Sequence, residues 1–185
     1  MNAKQIYLIG MKHTGKSQHG RALAQALGRA FLDTDALIQE LDSTETGMRR
    51  TVRDIYREDG VERFQQLEAA ACRLTSERGD SPVVATGGGL CDNPDAVGCT
   101  AGGLRVHLVD SVESLAHRIF RAGVPAFLHT DDEAVARERF RELYARRVAA
   151  YDELATLRVD FRDQSLLEAQ AQIIQSVQEY LSGGK

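Results

Sequence analysis

The sequence has few cysteines, no long hydrophobic run and no excess of positive charge. Its three cysteines, Cys72, Cys91 and Cys99, are odd in number and widely spaced. That pattern fits neither a disulfide scaffold nor a CxxC zinc site, and it favours reduced thiols in a cytoplasm. Residues 1–10 hold one lysine and an apolar run of only a few residues, which is too short for a signal peptide or a membrane span. We therefore expect a cytoplasmic protein that has no membrane partner.

The overall charge also limits the possible partners. A net charge of −4 and an isoelectric point near 5.7 lack the basic character that is typical of nucleic-acid-binding domains. The 43% hydrophobic and 27% charged fractions are those of a folded protein rather than a disordered one. A chain of 185 residues is long enough for one compact core. We expect a single monomeric domain over residues 1–185 that binds a small molecule and no nucleic acid.

Apolar runs of strand length alternate with stretches of helical periodicity. Because strands separated by helices usually pair in parallel, this order predicts an α/β fold with a parallel sheet. The predicted strands are residues 6–9, 30–32, 83–85, 106–109 and 157–161. The predicted helices are residues 16–27, a helix capped by Asp110 or Ser111 that runs to Arg121, residues 131–151 and residues 165–181.

The segment after the first predicted strand matches the phosphate-binding pattern GxxxxGK[ST], and a helical pattern follows it directly. In this context, glycines let backbone N–H groups surround phosphate oxygens at a helix N-terminus. The lysine reaches the β- and γ-phosphates, and the serine hydroxyl holds Mg²⁺. A glycine-rich turn with a stray lysine is the alternative, which four specified positions in the correct context argue against. The residues expected to bind nucleotide are Gly10, Lys12, His13, Thr14, Gly15, Lys16, Ser17 and Gln18.

Two carboxylates, Asp33 and Asp35, follow the second predicted strand at the same edge of the sheet. At positions i and i+2 of an extended chain they project from one face and can address one ligand. Beside a phosphate site, one carboxylate can hold the Mg²⁺ shell and the other can accept a proton from an attacking hydroxyl. The alternative is that Asp35 is the N-cap of a helix that begins at Ala36.

Three consecutive glycines, Gly87, Gly88 and Gly89, end the third predicted strand at this edge too. Bare backbone lets a small polar ligand approach closely and accept N–H hydrogen bonds. An ordinary turn is the alternative, although it needs only one or two glycines.

These motifs, in this order and at these intervals, together resemble the shikimate kinase family. The resemblance rests on residues 10–17, Asp33-Thr34-Asp35, residues 86–89, Arg147 with Tyr151, and Arg158-Val159-Asp160. It implies a P-loop kinase fold with three α/β/α layers and a five-stranded parallel sheet of order 2-3-1-4-5. It also implies a lid at about residues 122–134 and an acceptor-binding segment at about residues 36–68.

The same resemblance implies roles for individual residues. Lys16 and Ser17 would serve ATP and Mg²⁺, with Asp33 in the metal shell. Asp35 would bind the acceptor hydroxyl and act as its base, so the implied catalytic residues are Lys16, Asp33 and Asp35. The implied acceptor contacts are Asp35, Gly87, Gly88, Gly89 and Arg147, and Arg118 is expected near the adenine.

One position in the acceptor segment departs from the family pattern. Where the family has Phe-Arg-x-x-Glu, with an arginine that pairs with the shikimate carboxylate, this chain has Gln65 after Phe64. Gln65 can still donate to an acceptor, but losing the bidentate ionic pair costs about 1–3 kcal/mol of binding free energy. Neighbouring Arg63 is a poor substitute because it points about 200° away around the helix.

A second departure lies in the lid, where the family has Arg-Pro-Leu-Leu and this chain has Val124 before Pro125. Lys12 and Arg121 are the candidate replacements for the missing cation, and Lys12 is favoured because it already lies beside the phosphates. The charged stretch at residues 40–53 either shapes the acceptor pocket or is a solvated insertion, with its arginines as anion contacts or as surface charge.

The motifs and the resemblance predict an ATP- and Mg²⁺-dependent kinase that phosphorylates a hydroxyl of a small metabolite. Shikimate, giving shikimate 3-phosphate, is the default acceptor. Because Gln65 is neutral, another small hydroxy acid or a hydroxy amino acid such as homoserine is an alternative acceptor. A nucleotide-binding regulator without efficient catalysis is a second alternative. Asp33 and Asp35 argue against it, since binding alone does not require both carboxylates.

Overall fold

The computed structural model describes residues 4–121, 128, 130, 132–162 and 164–183. The strands are β1 (Ile6–Ile9), β2 (Phe31–Asp33), β3 (Val83–Ala85), β4 (Leu104–Val109) and β5 (Leu157–Asp160). The helices are α1 (Lys16–Leu27), α2 (Thr34–Thr46), α3 (Val52–Ser76), α4 (Pro94–Thr100), α5 (Val112–Phe120), α6 (Glu133–Leu154) and α7 (Leu166–Leu181), and a 3₁₀ turn covers Leu90–Asp92. Every predicted strand and helix is present, with ends shifted by three residues or fewer.

The strands are parallel and lie in the order β2-β3-β1-β4-β5, which confirms the predicted topology. In β1, Ile6 and Leu8 pack with α1 and α7, whereas Tyr7 and Ile9 pack with α3 and α4. Because helices cover both faces, this central strand needs apolar side chains at consecutive positions. The loops after β1, β2 and β3 leave the sheet at the same edge, so the three motifs converge there.

Capping residues explain several helix ends. Gly28 ends α1 in a left-handed conformation with φ 64°, which glycine adopts without strain. Ser111, one of the two predicted caps, accepts a hydrogen bond from the N–H of Ser114 at the start of α5. Asp132 caps α6 through two backbone N–H groups, which explains why that helix begins two residues later than predicted.

The charged stretch at residues 40–53 covers the end of α2, the connection between the two helices and the start of α3. Within it, Arg50 donates to both carboxylate oxygens of the fully buried Asp42, at 2.6 and 3.0 Å. Arg50 also donates to both oxygens of Asp59, at 2.7 and 3.0 Å. A buried carboxylate needs such a partner. Arg50 therefore links α2 to α3 through ion pairs within the protein. Helix α3 then bends at Gly60, whose φ of 82° and ψ of 176° are not helical.

Of the predicted lid at residues 122–134, residues 122–127, 129 and 131 lie outside the described residues, and they include the departure at Val124. Leu128 is buried, and its carbonyl oxygen accepts a hydrogen bond from Arg139 at 2.6 Å. Within the described part of the chain, no helix combines the length and the apolar character that crossing a membrane would require.

Candidate active site

The phosphate-binding loop (residues 10–17) has a backbone that depends on its glycines. Gly10 adopts φ 136°, and a Cβ atom there would lie 2.6 Å from the carbonyl oxygen of Leu108. Gly15, with φ 80°, precedes α1 and makes no side-chain cap bond. Thr14 is buried, and its hydroxyl donates to the carbonyl oxygen of Met11 at 2.9 Å, which braces the loop from within. The first turn of α1 therefore keeps its N–H groups for an anion.

Lys16 lies inside this loop. The residue is 7% exposed, and Nζ donates to the carbonyl oxygens of Gly10 at 2.9 Å and Met11 at 2.8 Å. Burial lowers the pKa of its ammonium group to about 8, although the charges of Asp35 and Asp33 oppose the shift. An ammonium group has a third N–H to donate. A phosphate oxygen that accepts it would stabilise the charged form of Lys16.

Ser17 and Asp33 form the pair that is predicted to hold a metal ion. The hydroxyl of Ser17, at the start of α1, donates to Oδ2 of Asp33, at the end of β2, at 2.5 Å. Hard oxygen donors suit Mg²⁺, which takes one or two protein ligands and completes its shell with water and phosphate oxygens. No cluster of three or more acidic, histidine or cysteine ligands occurs among the described residues, and such a shell needs none. The pair fits Mg²⁺ bound together with a nucleotide.

Asp33, rather than Asp35, is the N-cap of α2. Its Oδ1 accepts a hydrogen bond from the N–H of Asp35 at 3.0 Å, and the helix begins at Thr34. The prediction of an extended chain through both carboxylates was therefore wrong, as was the alternative of an Asp35 cap before Ala36. The helix nevertheless directs Asp35 into the site, where its Oδ1 would lie 3.5 Å from a Cβ atom at Gly87. Burial first, and then the charge of Asp33, raises the pKa of Asp35.

The glycine turn (residues 87–89) is in close contact with the phosphate-binding loop and with α3. A Cβ atom at Gly88 would lie 2.6 Å from the backbone nitrogen of Lys12. A Cβ atom at Gly87 would lie 2.9 Å from Oε1 of Glu68. Real Cβ atoms do not make contacts this short, because the atoms would overlap. Close packing therefore requires glycine at Gly87 and Gly88, and the contact of this turn with an acceptor stays a prediction.

Glu68 is a buried carboxyl group behind the glycine turn that no motif predicted as a site residue. It is 2% exposed, and its Oε2 accepts a hydrogen bond from the side-chain amide of Asn93 at 2.9 Å. Its Oε1 has no hydrogen-bond partner among the described residues. Burial raises the pKa of Glu68, although the Asn93 bond opposes the shift. The sequence feature that could have indicated Glu68 is its position as the glutamate of the Phe-Arg-x-x-Glu pattern, in which Gln65 replaces the arginine.

Gln65 and Arg147, both predicted acceptor contacts, meet at Asp92 on the other side of the glycine turn. Arg147 donates to Oδ2 of Asp92 through Nη2 at 2.6 Å and Nε at 3.0 Å, and to the carbonyl oxygen of Gly88 at 3.0 Å. The amide of Gln65 donates to the backbone oxygen of Asp92 at 3.1 Å. Arg63 instead pairs with a glutamate, Glu45. No sequence motif indicated Asp92.

Arg118 lies beside the phosphate-binding loop. It donates to the carbonyl oxygen of His13 at 2.8 Å and pairs with Oδ2 of Asp110 at 2.7 Å. His13 itself is exposed and adopts φ 67°, and Gln18 is exposed on the first turn of α1. The contact of Arg118 with an adenine ring stays a prediction.

Comparisons with known proteins agree with this geometry. The family model described as Shikimate kinase matches residues 12–178. Shikimate kinase of Desulforudis audaxviator (strain MP104C) is 38% identical, with 98% of this chain and 91% of that relative covered. Shikimate kinase of Mycobacterium leprae (strain TN) is 37% identical, with coverage of 85% and 74%. The solved structure of shikimate kinase from Acinetobacter baumannii in complex with shikimate is similar with a TM-score of 0.80 and 27% identity, covering 98% of this chain and 94% of that one.

Proposed function

The chain belongs to the shikimate kinase family, and from that premise we propose that it uses ATP to phosphorylate shikimate, giving shikimate 3-phosphate. The Acinetobacter baumannii relative in complex with shikimate supports this acceptor. The observation that carries the proposal is the contact between the glycine turn and the phosphate-binding loop, where a Cβ atom at Gly88 would lie 2.6 Å from the nitrogen of Lys12. The turn that we assign to the acceptor therefore touches the loop that we assign to the nucleotide. Phosphoryl transfer needs such closeness because reacting atoms must approach to about 3–3.5 Å.

On the donor side, the chain binds and polarises the triphosphate. The N–H groups of the phosphate-binding loop and of the first turn of α1 hold the phosphate oxygens, and Lys16 donates its remaining N–H to them. Ser17 and Asp33 would hold Mg²⁺ with the nucleotide, and the ion would neutralise negative charge on the phosphate oxygens. These groups stabilise charge that develops during transfer because they are already oriented toward it.

On the acceptor side, Asp35 receives the proton of the attacking hydroxyl. Its raised pKa makes it a stronger base than an ordinary aspartate, while the charges of Lys16 and Lys12 oppose the shift and favour the ionised form. The side chain of Lys12 is exposed, and its charge acts on the pKa of both Asp35 and Lys16. We therefore assign to Lys12 the additional cation beside the transferred phosphoryl group.

A coupled assay of ADP release tests the proposal, with ATP, Mg²⁺ and either shikimate, homoserine or no acceptor. We expect ADP release that depends on shikimate. The Asp35→Asn variant should bind ATP as tightly and lose about 10²–10⁴-fold in turnover, because only the proton acceptor is removed. Faster turnover with homoserine than with shikimate would identify homoserine as the acceptor. We include homoserine because Gln65 is neutral where the family has an arginine. ATP binding without turnover on any acceptor would favour the regulator alternative.

A further inference from the structure

Asp92 lies between two arginines at the end of the glycine turn. Its Oδ2 accepts hydrogen bonds from Nη2 and Nε of Arg147, and its Oδ1 accepts one from Nη1 of Arg146 at 2.8 Å. The side chain of Arg147 is 20% exposed and that of Arg146 is 61% exposed. Burial alone would raise the pKa of Asp92, but the two guanidinium groups outweigh it and hold the pKa below its ordinary value. Asp92 is therefore an anion at neutral pH.

Arg147 is the cation that a carboxylate bound along the glycine turn would meet. Its Nη2 would lie 3.3 Å from a Cβ atom at Gly89, at the end of the turn away from Asp35. Lys12 and Lys16 lie at the phosphate-binding loop, where they face the transferred phosphate. On the acceptor side, the neighbouring Gln65 has no charge. Arg146 binds the same carboxylate of Asp92 but is mostly exposed, whereas Arg147 also donates to the carbonyl oxygen of Gly88. An acceptor whose hydroxyl reaches Asp35 therefore finds its carboxylate partner in Arg147.

We propose that Asp92 is a specificity-determining residue that occupies the guanidinium group of Arg147 and so weakens the binding of acceptors that carry a carboxylate. The proposal rests on the proposed function for the identity of that acceptor. The edge of Arg147 formed by Nε and Nη2 is taken by Asp92. An incoming carboxylate either displaces Asp92 or binds beside it against a like charge, and both routes cost affinity. A neutral acceptor bears neither cost.

The test compares Asp92→Asn with Asp95→Asn, using shikimate and its uncharged methyl ester as acceptors. Asp92→Asn keeps the shape of the side chain and removes its charge. Asp95 is exposed three residues along the chain, so its variant removes one charge without freeing an arginine. For Asp92→Asn we expect the KM for shikimate to fall about tenfold, the size of one charge-assisted contact. The KM for the ester, and both KM values of Asp95→Asn, should stay unchanged.

Two further measurements guard against a variant that does not fold. Asp92→Glu keeps the charge and should retain the KM for shikimate of the unaltered protein. The unaltered protein itself should prefer shikimate to the ester by less than about tenfold, because Asp92 offsets Arg147. An equal gain for acid and ester in Asp92→Asn, a rise in KM, or a preference of the unaltered protein for the acid of more than about tenfold would overturn the proposal.

Calorimetric binding of shikimate without nucleotide separates this inference from the proposed function. Tighter binding by Asp92→Asn without any turnover would refute shikimate phosphorylation and leave the role of Asp92 supported. Turnover of shikimate by the unaltered protein, with the same binding constant in Asp92→Asn, would leave the proposed function intact and refute the role of Asp92.

Discussion

The phosphate-binding loop presents backbone groups to the proposed nucleotide site, whereas the proposed acceptor side of the glycine turn uses long side chains from distant parts of the chain. In the loop, Gly10, Gly15 and Lys16 lie within seven residues, and two carbonyl oxygens fix the lysine. On the acceptor side, Arg147 reaches Asp92 across 55 positions of sequence. A site formed by backbone groups tolerates few substitutions. A side chain at the surface of a pocket can be replaced without changing the rest of the site. We therefore expect substitutions on the acceptor side to change which acceptor is preferred without changing the phosphoryl-transfer reaction.

The largest expected effect is on the donor side, from Lys16→Met. Removing the ammonium group takes away a donor that is already aimed at the phosphates, and kcat should fall about a thousandfold or more. The matched control is Lys4→Met, at an exposed lysine before β1, which should keep full activity. Steady-state ADP release measures both variants. A loss of less than about tenfold in Lys16→Met would mean that the loop holds phosphate by its backbone alone.

Gly88→Ala tests the contact between the glycine turn and the phosphate-binding loop. The added Cβ atom would lie 2.6 Å from the backbone nitrogen of Lys12, so the loop or the turn must move. We expect about 1–3 kcal/mol lower free energy of unfolding from overpacking, together with about a hundredfold loss of kcat from the displaced loop. Urea unfolding and ADP release measure the two effects.

The control for this substitution is Gly98→Ala, in α4, where no heavy atom outside the adjoining residues and the helix backbone lies within 4 Å of the added Cβ atom. This variant should gain about 0.5–1 kcal/mol in free energy of unfolding, because alanine favours a helix more than glycine does. If Gly88→Ala kept kcat and did not lower the free energy of unfolding, as expected for Gly98→Ala, the glycine turn and the phosphate-binding loop would not be held in rigid contact.

Gln65→Arg tests whether the acceptor side is adjustable. An arginine at this position adds a cation near Asp92 and Arg147, and the KM for shikimate should fall about tenfold while kcat changes little. Turnover of homoserine, which carries an ammonium group, should fall. The neighbouring Gln66 is exposed, so Gln66→Arg adds the same charge outside the site and should leave both KM values unchanged. If Gln65→Arg and Gln66→Arg changed the two KM values equally, the change would come from the net charge of the protein and not from a contact with the acceptor.

The same difference between the two sides explains which features could be predicted from the sequence. The phosphate-binding loop is one contiguous segment, so its spacing alone predicted its conformation and its lysine. The N-cap of α2 was misplaced because a helix that begins at Thr34 and one that begins at Ala36 have the same apolar pattern, and only the bond from the N–H of Asp35 to Asp33 separates them. Asp92 could not be predicted because its partners Arg146 and Arg147 lie on another element and are brought to it by packing. Glu68 ends the family pattern that contains Gln65, but its contact with Asn93 depends on packing in the same way.

The smallest expected effect concerns pH and a histidine beneath the donor loop. His107 is fully buried in β4, and its Cδ2 would lie 3.3 Å from a Cβ atom at Gly10. Burial lowers the pKa of His107, and Asp152, whose Oδ1 lies 2.7 Å from Nδ1, only partly offsets the shift. The unfolded chain therefore binds a proton more readily at this position than the folded one, so the free energy of unfolding decreases as pH falls below about 6.5.

His107→Asn removes this titration, and the loss of unfolding free energy between pH 7.5 and pH 5.5 should shrink by about 1 kcal/mol. Urea unfolding at the two pH values gives the slope, which is informative even where the substitution lowers stability at both. His19, whose pKa burial also lowers, and the buried carboxyl groups remain in every variant and cancel in the comparison. His117 is exposed on α5, so His117→Asn is the matched control for replacing a histidine outside the core. An unchanged slope in His107→Asn would show that protonation of His107 does not contribute to the loss of stability in acid. The phosphate-binding loop would then keep its conformation in acid through its backbone contacts.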